Sequence, residues 1–149
     1  MDLGLKDKVA VISGGNKGLG AAAALALAGE GAKIFLTARN ENDLKSVQTE
    51  IETECGVEVG CLAVDITTAD AGDEIVAAAL EQFGRVDIAV NAAGAARGGD
   101  FLTIEDQVWR DAFELKFMGA VRLSRAVIPH MQKQKYGRIV NIIGMFGRE

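Results

Sequence analysis

Short, mostly apolar runs that alternate with longer segments of helical period leave this chain few ways to fold. The first run, Val9-Ala10-Val11-Ile12, has no polar residue to turn toward water, as a strand covered on both faces requires. A glycine-rich turn follows, then an Ala/Leu helix over about 18–29, punctuated by Gly29 and Gly31. Ile34-Phe35-Leu36-Thr37 reads as a second strand. Asn40 is placed to cap the next helix, where Leu44, Val47, Ile51 and Cys55 recur at helical spacing among charges. A third strand is expected over 57–64. The helix after it carries Ile75, Val76, Ala79, Leu80 and Phe83 on one face and is closed by Gly84. A fourth strand over 86–90 leads into a Gly/Ala loop over 92–99. A long helix over 104–134, kinked or interrupted at Pro129, precedes a fifth strand over 138–143.

Regular strand–helix alternation predicts βαβ units and hence an α/β fold: a doubly wound parallel sheet in three layers, with strand order 3-2-1-4-5. No linker or internal repeat divides the 149 residues, which suit one domain. Such a sheet wants at least one more strand beyond the fifth, so residues 1–149 read as a single incomplete domain, truncated after that strand.

Composition narrows the function classes. The 18 glycines fall between periodic segments, which points to tight turns rather than disorder. With a net charge of −5 and no basic stripe, the chain is not expected to bind nucleic acid. Two cysteines, Cys55 and Cys61, and one histidine, His130, supply neither a disulfide framework nor a common zinc site, and no metal is expected. The N-terminus lacks a basic stretch followed by an apolar one, and the apolar residues 19–28 are too few to cross a bilayer. A cytoplasmic protein without a membrane partner is the expectation.

The chemistry begins at Ser13-Gly14-Gly15-Asn16-Lys17-Gly18-Leu19-Gly20, where a strand turns into a helix. Gly14 permits the sharp turn, Gly18 lets backbone N–H groups approach a phosphate, and Gly20 lets the helix pack close to the strand. The helix N-terminus then presents partial positive charge to a pyrophosphate. The end of the second strand, Thr37-Ala38-Arg39-Asn40, has no acid to hold ribose hydroxyls, while Arg39 offers a fork suited to phosphate and Lys17 is a second cation nearby.

Ser13-Gly14-x-x-x-Gly18-Leu19-Gly20 resembles the T-G-x-x-x-G-[IL]-G motif of the short-chain dehydrogenases/reductases, with serine for threonine. Further landmarks of that family fall in order: Asp65 after the third strand, Asn91-Ala92-Ala93-Gly94 for N-N-A-G, and Gly137-Arg138-Ile139-Val140-Asn141 leading into the fifth strand. The resemblance covers essentially the whole chain. It implies a Rossmann-type domain with the cofactor held by Ser13, Gly14, Asn16, Lys17, Gly18, Leu19, Gly20, Arg39, Asp65, Ile66, Asn91, Ala92, Ala93 and Gly94. Basic residues at the positions of Lys17 and Arg39 accompany NADP preference in that family, so NADP(H) is expected ahead of NAD(H). The implied reaction is hydride transfer between NADP(H) and a small-molecule carbonyl or alcohol.

The catalytic set departs from the family. Its Asn-Ser-Tyr-Lys tetrad would place an asparagine where Lys116 stands and a serine where Gly144 stands, and no Y-x-x-x-K segment lies within the 149 residues. Tyr136 precedes the fifth strand, at the wrong end of the sheet for catalysis. Lys116 reads either as a group that orders water or donates to a substrate oxygen, or as a lysine snorkelling from an apolar helix. A nucleotide-binding module or fragment without redox catalysis is therefore the alternative function. Trp109 reads as a packing residue and His130 as a capping or surface residue. The long helix is apolar around much of its circumference, through Phe113, Leu115, Phe117, Met118, Val121, Leu123, Val127 and Ile128, and the corresponding helix of the family builds a dimer interface. A homo-oligomer through 104–134 is expected.

Overall fold

A computed structural model describes residues 2–95 and 99–143. Five parallel strands, β1 (Val9–Ser13), β2 (Lys33–Ala38), β3 (Val59–Ala63), β4 (Ile88–Asn91) and β5 (Arg138–Asn141), form one sheet in the order β3-β2-β1-β4-β5. This is the expected three-layer α/β, Rossmann-like architecture. Helices α1 (Gly18–Gly29) and α2 (Glu41–Cys55) cover one face; α3 (Ala71–Phe83) and α5 (Gly119–Lys133) cover the other.

The period of two along each strand sorts the core into two halves. Ala10, Ile12, Ile34, Leu36, Ile88 and Val90 pack with Ala24, Ala28, Leu44 and Ile51 of α1 and α2. Val11, Phe35 and Ala89 point the other way, into Ile75, Val76, Ala79, Leu123 and Val127 of α3 and α5. Both faces are covered, which is why the first run carries no polar residue.

Helix α2 begins as its sequence predicts: the Asn40 side chain accepts a hydrogen bond from the Asp43 N–H at 3.1 Å. Strands β3 and β4 start two residues later than the apolar runs. Val86 is nonetheless fully buried, packing into the α3/α5 half of the core rather than joining the ladder. The long helical stretch is divided in a different place from the one expected. It runs uninterrupted through Pro129, and the irregularity lies upstream: α4 (Asp106–Phe113) passes into a π-helical turn at Glu114–Met118 before α5 begins. Glu114 in that turn pairs with Arg122 two turns on. Trp109 is half exposed and meets Phe101 edge to face at 6.3 Å, outside the core.

One buried charge ties the amino end of the sheet together. Asp87, wholly buried just before β4, accepts from the Val9 N–H at 2.9 Å, from Arg85 Nε and Nη2 at 2.7 Å each, and from Gln134 Nε2 at 3.3 Å. β1, β4 and the end of α5 thus share one carboxylate. Its hydrogen bonds raise the pKa of Arg85 above the ordinary guanidinium value, against the opposing effect of burial. A buried charge that loses a partner is costly, whereas an exposed i,i+4 pair contributes little. Arg85→Met is therefore expected to destabilise the chain by about 2 kcal/mol, lowering Tm by roughly 5–8 °C in calorimetry. Arg110→Ala, which breaks the exposed pair with Asp106, is expected to shift stability by less than about 0.5 kcal/mol.

Candidate dinucleotide-binding cleft

The carboxyl ends of β1 to β4 open into a cleft of about 1040 Å³. It lies on the larger side of ordinary small-molecule sites, which span about 300–1,000 Å³. The turn after β1 forms its floor. Gly14 and Gly15 donate their N–H groups to the Thr37 carbonyl at 2.8 and 3.2 Å, binding the turn to β2. On the other side, Ser13 Oγ accepts from the Ala93 N–H at 3.4 Å and donates to the Val90 carbonyl at 3.5 Å. Gly14 has φ +69°, and a Cβ there would stand 2.8 Å from the Ala93 backbone. At Gly20 a Cβ would collide with the Gly14 carbonyl. Two positions therefore tolerate no side chain, and their closeness draws the start of α1 down onto the strand ends.

The N-terminus of α1 faces the cleft with no anion of its own. Its N-cap residue Lys17 makes no side-chain cap, and no acidic residue occupies the first turn. Helix N–H groups lacking internal partners, with the helix dipole behind them, suit a phosphate. Lys17 and Arg39 are both exposed cleft residues, and neither forms a salt bridge with another described residue.

Asp65 stands beyond β3 on the cleft wall. Its Oδ1 accepts from the Thr67 N–H at 2.9 Å and from Thr67 Oγ1 at 2.8 Å. The Thr67 N–H first, then its hydroxyl, hold the carboxyl below its ordinary pKa; partial burial opposes this, and the positive charge of Arg39 adds to it. Asp65 is thus a fixed, ionised acceptor.

Of the residues singled out in the sequence, Ser13, Gly14, Asn16, Lys17, Gly18, Leu19, Gly20, Arg39, Asp65, Ile66, Ala92, Ala93, Gly94 and Lys116 line this one cleft. Asn91 does not. Its Nδ2 donates to Asn141 Oδ1 at 2.8 Å and Ser124 Oγ at 3.3 Å, so the side chain joins β4 to β5 and α5 beneath the cleft. Lys116 reaches the cleft from the π-helical turn. Its Cδ, Cε and Nζ lie 3.1–3.3 Å from where a Gly94 Cβ would be, so the chain runs along that glycine. Gly144 lies outside the described residues.

The sequence reading missed Glu41, Asp43, Val64, Leu115 and Ile142, which also line the cleft. Asn40, recognised as a helix cap, was the available signal for the first two. A cap immediately after Arg39 puts the first turn of α2 beside the same cation. Among the described residues there is no group of His, Cys, Asp and Glu that would hold a metal, and no helix long and apolar enough to cross a membrane.

The profile of the short chain dehydrogenase family matches residues 8–149. The short-chain reductase protein NovJ of Streptomyces niveus is 37% identical over 143 residues, 96% of this chain and 54% of that protein. The uncharacterized oxidoreductase YgcW of Escherichia coli is 39% identical over 144 residues, 95% of this chain and 54% of that protein. Among solved structures, L-sorbose reductase from Gluconobacter frateurii, complexed with NADPH and L-sorbose, is 38% identical with a TM-score of 0.89, over 93% of this chain and 53% of that one. NAD+-bound xylitol dehydrogenase is 30% identical with a TM-score of 0.91, over 96% of this chain and 55% of that one. The chain spans about half the length of these relatives. Fold, ordered motifs and similarity agree: the chain belongs to the short-chain dehydrogenase family.

Proposed function

We propose that this chain is the cofactor-binding part of an NADP(H)-dependent oxidoreductase acting on a small-molecule carbonyl or alcohol, in a cytoplasmic protein. One observation carries the cofactor reading: Lys17 and Arg39 line the same cleft as the glycine turn, and the end of β2 between them carries no acid. A carboxylate there would favour ribose hydroxyls and repel a 2′-phosphate; a guanidinium fork does the reverse. Similar proteins include one complexed with NADPH and one bound to NAD+, so the preference rests on this chain's own residues.

The cleft fits such a group. No side chain could stand at Gly14 or Gly20, and the position of a Gly18 Cβ is open space. The α1 N-terminus and the Gly18–Gly20 backbone would receive the pyrophosphate, Asp65 and Ile66 the adenine end, Lys17 and Arg39 the 2′-phosphate, and Ala92 to Gly94 the inner ribose. When bound, the nicotinamide supplies hydride chemistry. The chain's own task is to orient it, exclude water and manage a proton. Lys116 is the ionisable side chain we assign to that last task, because it alone of the described residues on the long helix brings a charged group to the cleft. From beside Gly94 its ammonium can donate to a substrate oxygen or hold a water.

A second reading, nucleotide binding without redox turnover, is favoured by the glycine at 144 and the lysine at 116, where the family's serine and asparagine would stand. The activity and its substrate belong to the whole protein in either case.

The exposed side of the long helix supports a homo-oligomer. Phe113 and Phe117 stack with centroids 4.7 Å apart and are 58% and 55% exposed, while Leu123 and Val127 are buried in the core. An aromatic pair held open to water by a π-helical turn suits the same pair on a second copy.

Three outcomes follow for solution experiments. In calorimetric titration the chain is expected to bind NADPH more tightly than NADH. Since a charge-assisted hydrogen bond contributes about 1.5–3 kcal/mol, the margin should be roughly tenfold or more. Ala38→Asp combined with Arg39→Leu is expected to reverse the order; equal affinities in the parent chain count against NADP. In sedimentation analysis at micromolar concentration the chain is expected to self-associate, and Phe113→Asp with Phe117→Asp to weaken that association; a clean monomer defeats the interface. With ketones, aldehydes and quinones, residues 1–149 alone are expected to show no family-like NADPH oxidation, because a positioned acid/base is worth about 10²–10⁴-fold and the family's tyrosine is not among them. Robust turnover that vanishes in Lys116→Ala would instead make Lys116 the catalytic acid.

A further inference from the structure

The cleft that holds Lys17 and Arg39 is also lined by two acids. Glu41 and Asp43, in the first turn of α2, line the cleft together with Lys17 and Arg39. Asp43 is fixed from two sides. Its N–H is held by the Asn40 cap at 3.1 Å, and its Oδ2 accepts from Asn16 Nδ2 at 3.3 Å across the groove between the glycine turn and α2. This hydrogen bond joins residues 27 apart in sequence, and it places a carboxylate against the residue that immediately precedes Lys17. Neither acid forms a salt bridge with another described residue. Their charges therefore remain in the field that an incoming phosphate would meet.

We propose that Asp43 is a specificity-determining residue of this cleft: its carboxylate occupies the Asn16 amide and opposes a 2′-phosphate, restraining the preference for NADP(H) that Lys17 and Arg39 create. The inference rests on the nucleotide reading given above. The physical basis is a difference of affinities. An anion beside the ribose pocket repels a dianionic 2′-phosphate, and it competes for an amide donor that would otherwise be free to reach the phosphate. A nucleotide with only hydroxyls on that ribose meets neither penalty. Position suits the acid on its own account, because a carboxylate in the first turn of α2 is stabilised by the helix dipole. The same dipole would otherwise have added to the attraction for phosphate.

The test separates charge from tether. Adenosine 2′,5′-bisphosphate and ADP serve as probes, titrated calorimetrically against the parent chain at two salt concentrations. Asp43→Asn removes the charge while its carbonyl oxygen still accepts from Asn16. It is expected to raise affinity for the 2′-phosphorylated probe about three- to tenfold relative to ADP, with the gain shrinking at higher salt. Asp43→Ala, which also frees the Asn16 amide, is expected to raise it further. Glu54→Gln, an equal change of charge near the far end of α2, is expected to leave the ratio unchanged. An unchanged ratio in Asp43→Asn and Asp43→Ala, or an equal gain for both probes, overturns the role of Asp43 and leaves the nucleotide reading standing. Binding of neither probe by the folded parent chain overturns the nucleotide reading, and this proposal with it.

Discussion

The site depends on one close approach: Gly20 against the carbonyl of Gly14, with Gly14 itself pressed to the backbone of Ala93. These contacts bring the first turn of α1, the end of β1 and the segment after β4 within van der Waals reach of one another. No side chain fits between them. The space where side chains would have stood lies instead above, as a cleft walled by four strand ends. The hydrogen bonds from Gly14 and Gly15 to Thr37 and between Ser13 and Ala93 then fix the neighbouring segments to the same point. Backbone geometry thus fixes the pocket floor and aims the N–H groups at the start of α1 into the cleft, and the side chains around it set which anion is admitted.

The sheet has a second anchor at its opposite edge. Where the carboxyl edge is organised by an absence of side chains, the amino edge is organised by a buried carboxylate. Asp87 satisfies donors from β1, from its near neighbour Arg85 and from Gln134 at the end of α5. The division of labour is physical. Hydrogen bonds to a buried charge confer rigidity far from the cleft, so the cleft can keep Lys17, Arg39 and Lys116 out of salt bridges with other described residues without the fold depending on them.

What could be read in advance follows from how local each signal is. The parallel order β3-β2-β1-β4-β5 was legible because short, mostly apolar runs alternate with helical faces along the chain, and the Asn40 cap because capping involves only neighbouring residues. Strand limits were less legible, since Val86 is apolar for the sake of the α3/α5 core rather than for the ladder. Pro129 suggested a break that the helix does not show, whereas the π-helical turn at Glu114–Met118 has no local signature. It comes with pairings across turns, such as Glu114 with Arg122 and Gly119 packed 3.1 Å from Ile66 measured from a Cβ position. Asn91 was grouped with the cleft because Asn91-Ala92-Ala93-Gly94 resembles the family's N-N-A-G motif, yet its amide donates to Asn141. The Asn40 cap put Asp43 near Arg39, but its bond to Asn16, remote in sequence, had no local signal.

The π-helical turn also sets a phase. A turn closed by i→i+5 hydrogen bonds holds an extra residue relative to the α-helix, so the two helices it joins are out of angular step by about one residue, roughly 100°. α5 can therefore direct Leu123 and Val127 squarely at α3, while the preceding segment turns its aromatic residues outward and Lys116 toward Gly94. A regular helix of the same sequence would turn the segment before α5 by that angle relative to the core. The turn behaves as a stored insertion, a single residue absorbed into the helix without lengthening any loop. Removing it would leave the buried face of α5 intact and rotate everything upstream, so that one deletion, with no change of residue type, would change which side chain looks into the cleft and which surface looks out.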